Sequence, residues 1–487
     1  MKREDVRALP QLALSAGAQP RAIRAADVTQ AMAARLADDA ANGLARAMPE
    51  LSAHVVITRA QIAAFLFVLA AGVACAALAP LAMWNALIAF LSFAFIAGTL
   101  FRAGLATIGA RPHRDPAGGD DAALPVYTIL VPLFREANVL PALVRALLAI
   151  DYPRDKLDIK IIVEEDDAET ASAAAAQEDR GPFEIVRVPK GQPRTKPRAC
   201  NYALHFARGE YTVIFDAEDR PEPDQLRKAV AAFRARPANI ACLQARLNFY
   251  NAQENVLTRL FALDYAVWYD VMLPALDRLG VPMPLGGTSN HFRTSVLRDL
   301  GGWDPFNVTE DADLGIRIAQ LGMRVSMLDS TTFEEAPTLA GVWFRQRSRW
   351  MKGYMQTWLV HTRRPLALAR RAGLGGFAAF HLFIGGSVAA SLASPLLWLV
   401  FVLSLGFGQN GGTEMSLAAL AGGNLLLTVL AMASPIRRGW QDLSPYGLGV
   451  TFYWAMISFA AWRGFGQLIR RPFYWEKTAH GLSRQAQ

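Results

Sequence analysis

Cysteine is scarce in this chain, and its scarcity excludes two kinds of structural cross-link. Only Cys75, Cys200 and Cys242 occur in 487 residues, and they are too scattered for a zinc site or a disulfide framework. Charged residues are also sparse, at 19% of the chain against 53% hydrophobic residues. An ordinary soluble enzyme of this length is less apolar. We therefore expect reduced thiols and part of the chain in lipid.

A cleavable signal peptide is not expected, because the first 60 residues are rich in charge and lack a short apolar run before a small-residue cleavage site. Positive charge is in slight excess, with 50 Lys and Arg against 42 Asp and Glu. Such an excess suits nucleic acid, anionic lipid or a phosphorylated substrate. Arginine beside membrane segments is the simplest interpretation, and no nucleic-acid partner is expected.

An apolar stretch follows an N-terminal segment, residues 1–60, that is predicted to be helical and cytoplasmic. Residues 61–107 form an apolar stretch that is interrupted by Pro80 and by the pair Trp84 and Asn85. Their length predicts a transmembrane hairpin with helices near 62–81 and 86–106.

The C-terminal part has three further apolar stretches, at about 375–406, 415–434 and 446–469. Basic residues precede the first stretch and the GQNGGTE loop after it has none, which predicts a cytoplasmic catalytic side. Arginine pairs flank the last stretch, at 437–438 and 470–471, and one crossing cannot satisfy both. Residues 373–470 are therefore predicted as transmembrane or re-entrant helices, and 471–487 as a cytoplasmic tail.

Residues 108–340 have the texture of a soluble α/β domain. Short apolar runs at 127–131, 159–163, 211–215 and 240–243 are typical of buried parallel strands, and helical patterns lie between them. Sheets with such crossovers bind ligands beyond the carboxyl ends of their strands. Those ends are followed here by acidic segments, which suit a nucleotide and its metal.

The first acidic motif is Asp216-Ala217-Glu218-Asp219, after the run at 211–215. Its carboxylates are the oxygen ligands that a magnesium or manganese ion prefers, and such an ion would neutralise two phosphates. The structural alternative is a turn or a helix cap, where acids are common.

The second motif is Thr309-Glu310-Asp311, which leads into a helical pattern. Functionally, Asp311 would be a general base that removes the proton of an acceptor hydroxyl. The alternative is a helix N-terminus, where a threonine cap and acids in the first turn are favourable.

The third motif, Gln346-Arg347-Ser348-Arg349-Trp350, lies in a segment predicted as interfacial amphipathic helices, residues 341–372. Arg349 is suited to clamp phosphate oxygens, and Trp350 to stack on a sugar face. The alternative is a belt of Arg and Trp at the membrane surface.

The order of these motifs resembles the membrane-bound branch of family 2 glycosyltransferases, which includes bacterial cellulose and hyaluronan synthases and related exopolysaccharide glycosyltransferases. The resemblance covers some 220 residues and continues in the closing PFYWEKTAHG. It is carried by VPLFRE (131–136), IIVEEDDAET (161–170), TKPRACNYAL (195–204), FDAED (215–219), GGTSNHFRTSVLRDLGGWD (286–304), TED (309–311) and QRSRW (346–350).

The resemblance implies a GT-A (Rossmann-like) catalytic domain inserted between transmembrane helices and an inverting direct displacement. It implies catalytic roles for Asp311 and Glu310 and metal binding by Asp216, Glu218 and Asp219. Nucleotide-sugar binding is implied for Pro132, Glu136, Glu164, Asp166, Lys196, Asp216, Gln346, Arg349 and Trp350, and acceptor binding for Gly286, Gly287, Thr288 and Trp350.

Several of these assignments have open alternatives. The family's paired aspartate is an EEDD run here, so either Glu164 or Asp166 would contact the base. The family's DxD becomes Asp-Ala-Glu-Asp, so either Glu218 or Asp219 would reach the metal. Lys196 has the alternative of a solvated loop charge, and the glycines at 286 and 287 that of a plain turn.

The resemblance therefore predicts a multi-pass protein of the bacterial inner membrane that uses a nucleotide-sugar, expected to be a UDP-sugar, with Mg²⁺ or Mn²⁺. The expected product is an exported polysaccharide made processively, with membrane lipids and export proteins as partners and without an appended cyclic-dinucleotide receptor domain. Three alternatives stay open: transfer of one sugar to a lipid-linked acceptor, a non-catalytic component of a secretion or receptor complex, and a transporter. The last is disfavoured by the acid-lined domain and the few ionisable residues in the spans.

Overall fold

The structure is a computed structural model that describes residues 24–109, 115, 120–407, 411–477 and 481–484. The expectations for residues 1–23, for part of the GQNGGTE loop and for part of the C-terminal tail lie outside the described residues.

Three helices precede the catalytic domain: α1 (Gln30–Ala47), α2 (Arg59–Leu78) and α3 (Pro80–Gly109). Thr58 and Gln61 form a capping box at the start of α2, which satisfies two orphan backbone donors. The predicted hairpin breaks at Ala79, and Trp84 and Asn85 lie inside α3. Pro80 does not interrupt the helix because proline is well tolerated at the first helical position.

An eight-stranded mixed sheet forms the centre of the domain, in the order β3-β2-β1-β4-β7-β6-β8-β5. The four predicted runs are present as β1, β2, β4 and β6, whereas β7 runs antiparallel to both of its neighbours. The strands are β1 (Tyr127–Leu133), β2 (Leu157–Glu164), β3 (Phe183–Val188), β4 (Tyr211–Ile214), β5 (Arg220–Pro221), β6 (Ile240–Phe249), β7 (Asn290–Arg293) and β8 (Arg324–Glu334).

Helices cover both faces of this sheet, which explains why β1 and β2 are almost wholly buried. Successive residues of β1 point to opposite sides, so that Ile129 and Val131 join one core cluster and Leu130 the other. The covering helices are α4 (Leu140–Leu148), α5 (Ala168–Ala175), α6 (Lys196–Leu204), α7 (Gln225–Ala235), α8 (Val256–Val267), α9 (Leu273–Leu279), α10 (Thr294–Asp299) and α11 (Glu310–Gln320).

The C-terminal region consists of α12 (Ala340–His361), α13 (Pro365–Phe380), α14 (Gly386–Phe407), α15 (Gly411–Ala433) and α16 (Val450–Arg470). A π-helical turn, His381–Gly385, joins α13 to α14. Within the described residues, four helical stretches are long and apolar enough to cross a membrane. They are Arg59–Leu78, Pro80–Gly109, Pro365–Val400 and Leu420–Arg438.

The last apolar stretch forms α16, which is one continuous helix and is not among those four. One of its faces is buried and packs along α12, and the opposite face exposes Phe452, Phe459 and Ile469. Both flanking arginine pairs lie beside the catalytic domain and α12: Arg438 binds Asp270 at 2.5 and 2.6 Å, and the carbonyl of Arg471 accepts from Lys352 at 3.4 Å. Both ends of α16 therefore contact the catalytic domain or α12, and whether this helix crosses a membrane stays a prediction.

Candidate active site

A cavity of about 480 Å³ lies at the carboxyl ends of β1, β2 and β4 and continues between α3, α14, α15 and α16. Of the predicted site residues, Asp166, Asp219 and Thr288 do not line it. The others converge on it: Pro132, Glu136, Glu164, Lys196, Asp216, Glu218, Gly286, Gly287, Glu310, Asp311, Gln346, Arg349 and Trp350.

Lys196 is the central cation of the cavity. Its ammonium group forms an ion pair with Asp216 and donates to the carbonyl of Gly287 at 2.7 Å. Burial alone would lower the pKa of Lys196, but the carboxylates of Asp216 and Glu310 outweigh it and raise the pKa. The lysine is therefore a fixed positive charge in the site and not a solvated loop residue.

The acidic motif after β4 divides its side chains between two places. Glu218 lines the cavity with Asp216, whereas Asp219 is 1% exposed and accepts hydrogen bonds from the Asp216 backbone N–H at 2.7 Å and from the Thr288 hydroxyl. Burial, with the nearby carboxylates of Asp216 and Glu218, raises the pKa of Asp219 well above its usual range. Asp219 and Thr288 thus hold the loop that presents Asp216.

The donor set fits a hard divalent ion. Across the described ranges, no group of three or more His, Cys, Asp and Glu side chains is arranged to hold a metal. Asp216 and Glu218 nevertheless present two carboxylates to the same cavity. Mg²⁺ is usually held in this way, by one or two carboxylates together with substrate phosphates and water.

Glu310 and Asp311 begin α11 and project into the cavity. Burial raises the pKa of Asp311, although the Ala312 N–H, which donates to its carboxylate at 2.7 Å, and the cations Lys196 and Arg349 oppose the rise. Burial and the adjacent Asp311 raise the pKa of Glu310 to about 8. Two adjacent buried carboxyls with raised pKa values favour a single negative charge on the pair.

Gly286 and Gly287 line the cavity together with the pair Glu310 and Asp311, and neither position has room for a side chain without a shift of its neighbours. A Cβ on Gly287 would lie 3.2 Å from the Asp311 carboxylate, and one on Gly286 would lie 2.2 Å from the hydroxyl of Tyr269. Larger residues at these two positions would fill the space beside the carboxylates. The predicted acceptor segment is thus more than a plain turn.

Helix α12 brings the third motif to the cavity. Arg349 donates to the carbonyl of Val308 at 3.1 Å and lies 4.7 Å over the ring of Trp475. Among the described residues, the Gln346 Oε1 is buried and has no hydrogen-bond partner. Trp350 stacks with Tyr265 at a centroid distance of 6.3 Å. A buried amide oxygen without a partner and a presented indole ring suit a polar, ring-shaped ligand.

The pocket expected for the base is lined by Pro132, Glu136 and Glu164. Glu164 is buried and lies 3.6 Å from Arg198, and burial raises its pKa. Asp166 is not part of the cavity lining and instead forms an ion pair with Arg194. Of the two residues expected to contact the nucleotide base, Glu164 lines the cavity and Asp166 does not.

Several cavity residues are not among the predicted site residues, although Trp475 and Lys477 lie in the closing PFYWEKTAHG of the resemblance. Glu334 ends β8, Asp264 lies on α8, and Trp475 and Lys477 come from the C-terminal tail. The Lys477 ammonium lies 3.1 Å from the Glu136 carboxylate. These four side chains reach the site through tertiary folding, because none of them lies in a motif that we assigned to the site.

The membrane side of the cavity is lined by hydroxyls and small apolar groups. Ser387, Ser391 and Ser394 lie four and three residues apart on α14, so that they share one face of the helix. Asn424 on α15 and Ser458 on α16 line the same space. The spacing of the serines within an apolar run is a signal that sequence reasoning missed.

The family assignment follows from the central segment. Residues 125–353 match the family model described as Glycosyltransferase like family 2. This segment is a family 2 glycosyltransferase domain. It contains all the predicted site residues.

Curated relatives match this chain over the domain and its surroundings. Glucomannan 4-beta-mannosyltransferase 1 from Oryza sativa is 27% identical over 267 residues, which are 51% of this chain and 51% of the relative. The probable glycosyltransferase YdaM from Bacillus subtilis is 24% identical over 233 residues, 47% of this chain and 55% of the relative. The chain thus spans about half the length of the curated relatives it matches.

A solved structure, a mannosyltransferase from Pyrobaculum calidifontis in complex with GDP-Man and Mn²⁺, superposes with a TM-score of 0.51 at 22% identity. The superposition covers 76% of this chain and 97% of the solved chain. The likeness shows the fold, and the predicted GT-A (Rossmann-like) α/β class is confirmed.

Proposed function

We propose that this protein is an inverting glycosyltransferase that moves a sugar from a nucleoside diphosphate to a glycan acceptor. The observation that carries the proposal is the convergence of Lys196, Asp216, Asp311 and Arg349 on one cavity. Transfer needs an anion-binding group, a base and a stacking surface within reach of one reacting carbon. A non-catalytic scaffold has no chemical need for that combination.

In the proposed reaction the acceptor hydroxyl attacks the anomeric carbon as the bond from that carbon to the diphosphate breaks. Asp311 takes the hydroxyl proton, and the cations Lys196 and Arg349, which oppose the rise of its pKa, favour the carboxylate form that this step needs. Lys196 and Arg349 balance the charge of the departing diphosphate. Trp350 supports a sugar ring by stacking.

A divalent ion is proposed as cofactor, and Asp216 and Glu218 would hold it. When bound, the ion neutralises charge on the diphosphate as a Lewis acid. The buried Asp219 is proposed to support the metal-binding loop and not to be a ligand of the metal.

The donor is proposed to be a nucleoside diphosphate sugar. The expectation of a UDP-sugar stays a prediction, and GDP-mannose is an equal candidate, since the glucomannan relatives are named mannosyltransferases and the similar solved structure contains GDP-Man. A pocket with a buried carboxylate such as Glu164 can accept a hydrogen bond from either base.

The acceptor is proposed to be a growing polysaccharide that leaves along the membrane side of the cavity. That side carries Ser387, Ser391, Ser394, Asn424 and Ser458, whose oxygens can bond to sugar hydroxyls. Arg102 also lines it and donates to Ser387 at 3.0 Å, and sugar hydroxyls can bond to that guanidinium whereas an acyl chain cannot. Transfer to a lipid-linked acceptor is the less favoured alternative.

The protein is proposed to sit in a membrane, with its four apolar stretches as spans and its catalytic domain on the cytoplasmic side. Helix α16 would lie in the membrane surface, where its exposed aromatic face contacts lipid while α12 covers the other face. The bacterial inner membrane stays the predicted location.

The test is sugar transfer by the purified protein in detergent or nanodiscs, with a panel of radiolabelled UDP- and GDP-sugars and Mg²⁺ or Mn²⁺. We expect one donor to yield a metal-dependent polymer, and Asp311→Asn to yield none. A single-sugar lipid product would overturn the polysaccharide proposal. Full activity of Asp311→Asn would overturn the assigned base, and no binding or turnover of any donor would favour the non-catalytic alternative.

A further inference from the structure

The N-terminal segment, residues 24–57, docks on the catalytic domain at a loop that leads to the candidate base. This loop, residues 304–309, is called the base loop. We propose that Asp304 is a positioning residue through which the N-terminal segment holds the base loop, and with it Asp311, in the geometry for transfer. The inference rests on the proposed function: Asp304 closes the segment GGTSNHFRTSVLRDLGGWD (286–304), and the pair that it forms with Ser52 has no role among the site residues assigned above.

Asp304 is a fully buried carboxylate that receives the N-terminal segment. It accepts from the Ala53 backbone N–H at 2.5 Å and from the Ser52 hydroxyl at 3.2 Å. Ser52 and Ala53 are themselves fully buried. A buried carboxylate needs such donors, so the base loop and the N-terminal segment complete each other's hydrogen bonds.

Arg363 fixes the same segment from the end of α12. Its guanidinium donates to the carbonyls of Pro49, Glu50 and Ser52 at 3.1, 3.1 and 3.0 Å, and also to that of Val55. Gln61, on the first apolar helix, donates to the Leu359 carbonyl at 2.7 Å. The segment is therefore fastened to the helix that carries the QRSRW motif.

The next residues of the base loop, Phe306, Asn307 and Val308, have contacts of their own. Phe306 lies between the rings of His54 and Phe473, at centroid distances of 4.7 and 5.4 Å. Asn307 donates to Thr357 at 3.0 Å, and the Val308 N–H donates to Gln356 at 3.0 Å.

The carbonyl of Val308 accepts from Arg349, which is a further contact from α12 to the base loop. The loop thus sits between the N-terminal segment and α12, and its next residues are Thr309, Glu310 and Asp311. Loss of the Asp304 contacts frees one side of the loop while the contacts from α12 persist. The expected result is a misplaced base, with the donor pocket intact.

The test compares Asp304→Asn and Ser52→Ala with the wild type in the transfer assay. The amide in Asp304→Asn has one acceptor oxygen where the carboxylate has two, so one N-terminal donor loses its partner. We expect kcat to fall by about tenfold or more in this variant, since a misplacement of about 1 Å can cost about 10²-fold. For Ser52→Ala we expect a fall of about threefold. The donor KM should stay within about twofold in both variants.

Asp158→Asn is the control. Asp158 is also a buried carboxylate that accepts one backbone N–H, from Arg208 at 3.0 Å, and one hydroxyl, from Thr128 at 2.8 Å; it is in addition ion-paired with Lys160 and with the Arg208 guanidinium. It lies near the amino end of β2, away from the cavity lining. We expect this variant to lower the melting temperature and to keep the wild-type kcat.

Three outcomes separate the possibilities. If Asp304→Asn does not fold, Ser52→Ala carries the test, because it removes a single hydroxyl. If the wild type transfers sugar while both variants keep its kcat, or while Asp158→Asn loses as much kcat as they do, the inference fails and the proposed function stands. If the wild type transfers no sugar, the proposed function fails and the inference falls with it.

Discussion

The two ends of the cavity differ in chemistry. The end at the carboxyl edge of the sheet concentrates charge, with Lys196, Asp216, Asp311 and Arg349. The end among the apolar helices is lined by serine hydroxyls such as that of Ser391, by aliphatic and aromatic side chains, and by the guanidinium of Arg102. Charge is suited to breaking a sugar–phosphate bond, and neutral hydroxyls are suited to letting a sugar chain pass. Substitutions at one end should therefore stop chemistry, and substitutions at the other should shorten the product.

The largest effect is expected from Asp311→Asn at the charged end. The amide cannot accept the acceptor proton, so the transfer rate should fall by roughly 10²- to 10⁴-fold. Nucleotide binding, measured as thermal stabilisation, should be retained because the base touches the acceptor and not the nucleotide. Asp224→Asn, at an exposed ion pair with Lys228 outside the cavity, is the control and should keep the wild-type rate.

The next largest effect is expected from loss of the metal. Chelation, or Asp216→Asn, should lower transfer by at least about 100-fold, because charge neutralisation on the diphosphate contributes several kcal/mol to the transition state. Addition of Mn²⁺ should restore the chelated wild type and not the variant. Full activity in the presence of chelator would contradict the assignment of Asp216 and Glu218.

A smaller effect, on product length, is expected from Ser391→Trp at the end of the cavity among the apolar helices. The bulky ring should obstruct the path, so that product chains become shorter on gel filtration. Donor hydrolysis should stay within about twofold of the wild type, because the site of chemistry is distant and independent. Ser391→Ala is the control and should leave product length close to that of the wild type. Unchanged length in the tryptophan variant would place the path elsewhere.

The smallest effect is expected from Glu310→Gln, and it concerns the thermal stability of the protein. The folded protein raises the pKa of Glu310 to about 8, from 4.5, so it retains a proton that the unfolded chain loses at lower pH. Stability from this group is present at low pH and is lost as the pH rises toward about 8. The melting temperature of the variant relative to the wild type should therefore rise by a few °C between about pH 5 and 8. A difference independent of pH would contradict the raised pKa.

Much of the fold was predictable because local pattern decides it. The buried strands β1, β2 and β4 are continuous apolar runs, and their carboxyl ends meet at one edge of the sheet, so the acids after them had to come together. Antiparallel β7 was not predicted, since NHFR has no strand periodicity and is set by its neighbours β4 and β6.

What could not be predicted depends on contacts between distant parts of the chain. Ser52 and Asp304 are separated by 252 positions, and the motif that ends at Asp304 does not tell which segment this residue binds. Trp475 and Lys477 lie in the closing PFYWEKTAHG, but that run does not predict that they return to the cavity from the C-terminal tail. The choice between Glu218 and Asp219 required the loop conformation, which buries Asp219 against Thr288.

The central claim is that one cavity holds the donor at one end and the product at the other. Cryo-electron microscopy of the protein, frozen during turnover with its donor and Mn²⁺, tests this most directly. The account predicts diphosphate density between Lys196 and Arg349, and sugar density that runs from Trp350 past Ser387 and Ser394. Nucleotide bound on a surface away from Asp311, or a product on a path that avoids the serine face, would contradict it.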